Sequence, residues 1–182
     1  MENLTELDVL KDVVSRLENA GFLYMLTGSM AMNYYAEPRM TRDIDLVIAL
    51  DTTDVLRLIE LFGDTYYISD VAVSDAIRDL SMFNLIHLDS VVKIDIIVRK
   101  VDEYRRHEFD RRSQIEFAGI KLWIVSKEDL ILSKLVWAKD SNSELQLRDI
   151  KNLLAMHPDS EYLQGWARKL GVLPLLEDLK YE

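Results

Sequence analysis

Residues 27–48, TGSMAMNYYAEPRMTRDIDLVI, join a small-residue turn to two aspartates one residue apart, and their reading decides the fold. The apolar run before them, FLYML, reads as a short strand that Gly28 turns into a helix, SMAMNYYA, broken by Pro38. DIDLVIAL is then a second strand. Residues i and i+2 of a strand point to one face, so Asp43 and Asp45 project together, with Ile44 and Leu46 turned away. Two carboxylates this close repel unless a cation or a proton sits between them. With an oxygen-only donor set, Mg²⁺ or Mn²⁺ is the natural ion. Two separately solvated acids at a strand end are the plain alternative.

The order of elements separates the chemistries that use paired aspartates. In phosphatases of the haloacid-dehalogenase type and in many glycosyltransferases the acids follow an apolar strand. Here EPRMTR precedes them and the apolar run comes after, which disfavours both. The upstream turn adds information. A helix N-terminus offers unpaired N–H groups and a favourable dipole to a phosphate. Gly28 allows close backbone approach, and Ser29 adds a hydroxyl while capping the helix. A third carboxylate, Asp95, lies in the otherwise apolar strand VVKIDIIV, where an unpaired charge is expensive. It is either a core group paired with Lys93 or the completion of a metal site, since two divalent ions bridged by carboxylates suit in-line displacement at phosphorus.

The rest of the chain is mixed α and β first, helices last. Thr5 with Asp8 forms a capping box ahead of Leu7, Leu10, Val13, Val14 and Leu17 at helical spacing, and Gly21 closes that helix. TTDVLRLIELFG is a helix, YYI a short strand and SDAIRDL a helix. MFNLIHL and VVKIDIIV form a hairpin about Asp89 and Ser90. SQIEFAGIKLWIV reads as two strands around Gly119, and Ser126 caps KEDLILSKLVWAKD. ELQLRDIKNLLAM and SEYLQGWARKLG complete the helices. The expected class is α/β: a mixed sheet flanked by helices, with a catalytic core over 1–125 and a helical C-terminal region over 126–182 packed on it.

The 182 residues are 49% hydrophobic, enough for a core without staples, and there is no cysteine for disulfides or thiolate metal sites. No apolar run approaches the roughly 20 residues needed to cross a bilayer. The start, MENLTELD, lacks the order of a signal peptide. The expectation is a cytoplasmic protein with no membrane contact. A formal charge of −10 opposes a broad phosphate-backbone footprint. The exception is VRKVDEYRRHEFDRR, residues 98–112, either a solvated mixed-charge helix or a patch that docks an anionic substrate.

Taken together, Gly28-Ser29, thirteen intervening residues, Asp43-x-Asp45 and a later Asp95 resemble the nucleotidyltransferase superfamily of DNA polymerase β, and within it the AbiEii-like toxin branch. The pairing of Lys93 with Asp95 in KID, the lysine of SKEDLILSKL and the aspartate of LRDI match that branch over residues 22 to about 155. The resemblance implies that Asp43, Asp45 and Asp95 bind the metal ions. It further implies that Asp95 completes the ion nearest the acceptor hydroxyl or also receives its proton as general base, while Gly28 and Ser29 hold the β- and γ-phosphates of an incoming NTP. Lys134, on an otherwise apolar helix, either snorkels or contacts phosphate, and the resemblance favours phosphate. Arg39 and Arg42 flank the metal pair, contacting the triphosphate or offsetting the acids. Asp149 orients Lys134, or pairs with Arg148 or Lys151.

The implied reaction places NMP from an NTP on a protein or RNA hydroxyl, tRNA included, in a toxin–antitoxin or phage-defence setting. The alternatives are a non-catalytic nucleotide- or partner-binding module of the same fold, and an antitoxin-like modifier of a partner toxin. His87, His107 and His157 show no metal-ligand spacing and read structurally, as do Tyr34 and Tyr35, for which base stacking is the other reading. Ser29 has no histidine near it in sequence and is no nucleophile.

Overall fold

A computed structural model describes residues 4–41, 43–141 and 143–181. Helix α1 (Glu6–Asn19) opens with the expected capping box, Thr5 and Asp8 each satisfying the other's backbone N–H. Its buried stripe is Val9, Leu10, Val13, Val14 and Leu17. Leu7, expected in that stripe, is exposed, because Val9 takes the inward position. Then follow β1 (Tyr24–Thr27), α2 (Gly28–Tyr35), β2 (Ile44–Ile48), α3 (Asp54–Phe62), β3 (Tyr66–Tyr67) and α4 (Asp70–Asp79). The hairpin β4 (Met82–His87) and β5 (Lys93–Val98) leads into α5 (Glu103–Asp110), β6 (Ser113–Phe117) and β7 (Ile120–Ile124). The last helices are α6 (Lys127–Ser141), α7 (Glu144–Leu154), α8 (Ser160–Lys169) and α9 (Leu173–Tyr181). The pattern reading missed α9 and found only the second half of α4, whose first turn is set by Ser69 accepting from the Ala72 N–H.

The described strands form one mixed sheet in the order β3-β4-β5-β2-β1-β7-β6. The central β2/β5 and the β1/β7 pairings are parallel, the others antiparallel. Strict alternation splits the middle of the sheet into two faces. Ile44, Leu46, Ile48, Ile94, Ile96 and Val98 are all buried, as are Phe83 and Leu85 on β4. The opposite face carries Asp45, Val47, Lys93, Asp95 and Ile97, less covered apart from Asp95. Helix α6 buries Leu130, Ile131, Leu132 and Leu135. It packs against α2, α7 and α8. No helix among the described residues is long and apolar enough to cross a membrane.

Candidate active site

The two central parallel strands bring the sequence-distant acids together. Asp45 on β2 stands directly opposite Asp95 on β5, Thr27 pairs with Asp45 from β1, and Asn84 pairs with Asp95 from β4. Asp43 precedes β2 by one residue and its side chain is 62% exposed. The turn from β1 into α2 explains the glycine. Gly28 has φ +65°, and a Cβ there would lie 2.0 Å from Asp45 Oδ2. Any larger residue would pay for left-handed backbone and push the Asp45 carboxylate aside. Glycine is needed for the approach of α2 to an acid within the protein, whatever it also does for a ligand.

This acidic cluster is poorly compensated. Burial, then the charges of Asp95 and Asp43, push the Asp45 carboxyl up to about 6. Asp95 is buried and accepts hydrogen bonds from Asn84 Nδ2 and, at 3.0 Å, from Lys93 Nζ. The same ammonium lies 4.0 Å from Asp43 Oδ1. Its hydrogen bond to Asp95 raises the Lys93 pKa against the cost of desolvation. Among the described residues no three acids or histidines converge as a closed coordination sphere. In donor type and charge the set still fits a hard divalent cation: carboxylates on one face, one with its proton affinity raised by its neighbours.

A second cluster supplies cations to the same cleft. Asp149 on α7 is 0% exposed and receives Lys134 Nζ at 2.9 Å and Arg39 through Nε at 3.2 Å and NH2 at 3.0 Å. Of the three readings of Asp149, the one holding Lys134 is observed, and Arg39 joins it. Burial works to raise the Asp149 carboxyl, but the hydrogen bonds from Arg39 and Lys134 outweigh it and hold it below the ordinary value. Burial pulls the Lys134 ammonium down, with Asp149 acting in the opposite sense. Gln146 Oε1 accepts a further bond from Lys134 at 3.0 Å. Lys134 is buried, so it does not snorkel to solvent.

Ser29 was expected to cap α2, but the capping position belongs to Thr27 and Ser29 sits inside the first turn. Its hydroxyl accepts from Arg39 NH2 at 2.6 Å. The Arg39 backbone is clasped on both sides by the Asn33 amide. Arg39 therefore ties α2 to α7 and holds the Ser29 side chain. Arg42 lies outside the described residues.

Between the clusters lies a cleft of about 690 Å³, lined by Gly28, Ser29, Arg39, Asp43, Asp45, Asp95 and Lys134 among others. Sequence reasoning missed Asn84 and Gln146, and gave Arg39 a triphosphate contact or a role offsetting the acids, not its bonds to Asp149 and Ser29. Asn84 was within reach: a hairpin centred between Asp89 and Ser90 sets residue 84 opposite residue 95. Gln146 carried no signal, because its contact depends on how α7 packs on α6. The arginines of residues 98–112 are largely engaged within the protein. Arg105 is held by Glu108 and Ser133, Arg111 by Asp129 and the Tyr162 ring, and Arg112 by the Phe109 carbonyl. His87 is buried, with Ser90 on its Nδ1, and His107 stacks on Trp166. Tyr35 donates to the Val125 carbonyl and Tyr34 packs on Phe117, away from the cleft lining.

Solved structures share this architecture. An antigenic nucleotidyltransferase-like protein from Paracoccidioides brasiliensis is 20% identical, covering 96% of this chain and 91% of its own, with a TM-score of 0.59. The lincosamide antibiotic adenylyltransferase LnuA, solved with lincomycin, is 19% identical over 85% of this chain and 99% of its own, at 0.55. ANT(2'')-Ia in complex with adenylyl-2''-tobramycin is 14% identical over 97% and 98%, at 0.52. At these identities the likeness speaks for the fold. No curated protein sequence matches significantly. The family model described as "Nucleotidyl transferase AbiEii toxin, Type IV TA system" matches residues 10–169, nearly the whole chain. The chain belongs to the AbiEii nucleotidyltransferase toxin family, within the nucleotidyltransferase superfamily of DNA polymerase β.

Proposed function

We propose that this nucleotidyltransferase moves NMP from an NTP to a hydroxyl of a protein or RNA acceptor, in a divalent-metal-dependent reaction within a toxin–antitoxin pair. The observation that supports it best is the register of β2 on β5. It sets Asp45 beside Asp95 in a cleft that Ser29, Arg39 and Lys134 also line. Asp43, Asp45 and Asp95 would hold Mg²⁺ or Mn²⁺. Such an ion, when bound, neutralises charge on the reacting phosphates and lowers the cost of ionising the attacking hydroxyl.

The chain's own groups supply position and charge. Lys134 and the start of α2 at Gly28 and Ser29 bind the β- and γ-phosphates; Arg39 holds Ser29 in place. The acceptor oxygen bonds to the α-phosphorus, the bond to pyrophosphate breaks, and Asp95 takes the acceptor's proton. Asn84 and Lys93 fix the Asp95 carboxylate for that role. Residues 1–125 form the catalytic core in this reading. The helical region 126–182 closes the cleft and helps to choose the acceptor. Acidic overall charge leans towards a protein acceptor.

The test incubates the protein with each NTP labelled at the α-phosphate, Mg²⁺ or Mn²⁺, and cell extract with and without ribonuclease treatment. A labelled band formed by wild type and absent with Asp45→Asn and Asp95→Asn establishes the chemistry, and its ribonuclease sensitivity assigns the acceptor class. Label transfer that survives both substitutions sinks the assignment of these acids. No transfer from any NTP by folded protein favours a binding module of the same fold.

A further inference from the structure

The cleft is charged within and apolar at its mouth. Four of its apolar lining side chains stand out in water: Met82, on β4, is 48% exposed, and the other three, on or next to the segments of the cationic cluster, are Met40 at 87%, Trp137 at 57% and Leu145 at 42%. Trp137 is the tryptophan among the large exposed apolar residues; Trp123 lies under Arg112 and Trp166 packs on Tyr104 and His107. Helix α6 does not need Trp137 for its core contact, because Leu130, Ile131, Leu135 and Ala138 already bury the inner side. An indole left in solvent beside two other apolar side chains at a cleft is a common mark of a binding surface.

Each of the three is coupled in sequence to the cationic wall. Trp137 follows Lys134 by three residues, so the two share one side of α6 about a turn apart. Leu145 precedes Gln146, which holds Lys134. Met40 follows Arg39, which holds Ser29. An apolar platform therefore continues directly from the cationic groups of the cleft. We propose that Trp137, flanked by Met40 and Leu145, is the platform on which the base of the incoming NTP stacks, its triphosphate running inward to Ser29 and Lys134. This rests on the nucleotide-transfer reading above. The platform offers one hydrogen-bonding group, the indole N–H, so it favours purines by stacking area and discriminates weakly between adenine and guanine.

Binding is measured with ATP, GTP, CTP, UTP and inorganic tripolyphosphate, each with Mg²⁺, by calorimetry and tryptophan fluorescence on wild type, Trp137→Leu and Trp137→Phe. Trp137 is exposed, so all three should melt at similar temperatures. Expected are quenching by every NTP but not by tripolyphosphate, purines binding more tightly than pyrimidines, and ATP affinity about tenfold weaker in Trp137→Leu, restored in large part by Trp137→Phe. Tripolyphosphate affinity should not change. Equal ATP affinity in wild type and Trp137→Leu overturns the platform, and so does an equal loss for tripolyphosphate. Tripolyphosphate binding with no gain from a base overturns the platform and leaves the phosphate site standing. Failure to bind any NTP or tripolyphosphate removes both this inference and the nucleotide-transfer reading.

Discussion

Asp45 lines the cleft and Asp149 lies buried against the Arg39 and Lys134 side chains that also line it; both are substantially covered, and their proton affinities move in opposite directions. Asp149 is fully buried with two cations bonded to it, and its carboxyl is held below the ordinary value. Burial, then the charges of Asp95 and Asp43, push Asp45 up to about 6, with Lys134 and Lys93 offsetting only part of it. Folding alone satisfies the first. The second stays frustrated, which is the state of a group whose partner arrives from outside. An ionic cluster completed by folding is held in one geometry, and one left incomplete is where a cation binds.

The sharpest test of that contrast is kinetic. Asp45→Asn should lower nucleotidyl transfer by roughly a thousandfold or more, the cost of losing a charge that acts in the transition state, while leaving the fold intact. Steady-state transfer rates beside a thermal melt measure both quantities. A variant that melts normally and retains a tenth of the activity would show that Asp45 is no more essential than its surroundings.

Asp149 should behave in the reverse order, with stability lost first. Asp149→Ala leaves Lys134 and Arg39 facing each other without a counter-charge, and breaking a buried pair this way costs about 3–5 kcal/mol. Urea denaturation reads it directly. Lys134→Met keeps the Arg39–Asp149 bond and should cost clearly less. Equal, small losses in the two variants would break the distinction between a completed and an incomplete cluster.

The next effect is a pH dependence with a worked sign. An Asp45 carboxyl near 6 against an ordinary 3.8 means that the folded state binds more protons between those values. Stability therefore falls as pH rises through that window, by about 3 kcal/mol at most, and is flat above it. Asp149, held below its ordinary value, contributes stability that is present at neutral pH and lost on stronger acidification. In a chelator-containing buffer, wild type should lose stability relative to Asp45→Asn from pH 4 to 6.5, and added Mg²⁺ should restore wild type but not the variant. Parallel curves with and without Mg²⁺ would mean that Asp45 is not strained.

The same contrast separates what the amino-acid order made legible from what it hid. Asp43, Asp45 and Asp95 could be read because strand periodicity and an acid in an apolar run are local signals, and the hairpin turn fixed the neighbours of Asp95. The mixed sheet and most helices were readable for the same reason. The completed cluster was not. Arg39, Lys134 and Asp149 sit on three separate segments, with Gln146 on the same helix as Asp149, and only the packing of α2, α6 and α7 joins them. Nothing local distinguishes Asp149, bonded twice in the core, from its exposed neighbours. Helix α9 was missed because LPLLEDLKY has no polar cap before it, Val172 standing where one would be.

The smallest expected effect extends the rule to the basic segment. Arg105 is completed by folding, its guanidinium bonded to Glu108 and Ser133, whereas Arg106 beside it is exposed. Arg105→Glu would set a second acid beside Glu108 and should destabilise the protein by several kcal/mol. Arg106→Glu should change stability by less than about 0.5 kcal/mol. That makes Arg106, together with exposed Lys100, the proper probe of an RNA acceptor, since a loss of activity in Arg105→Glu would report unfolding. If the acceptor is RNA and this face meets its backbone, Lys100→Glu/Arg106→Glu should weaken RNA transfer and flatten its salt dependence by about two phosphate contacts, with protein melting unchanged. Unaltered transfer would exclude the exposed cations of the segment from acceptor binding and leave its arginines as internal ties between α5, α6 and the sheet.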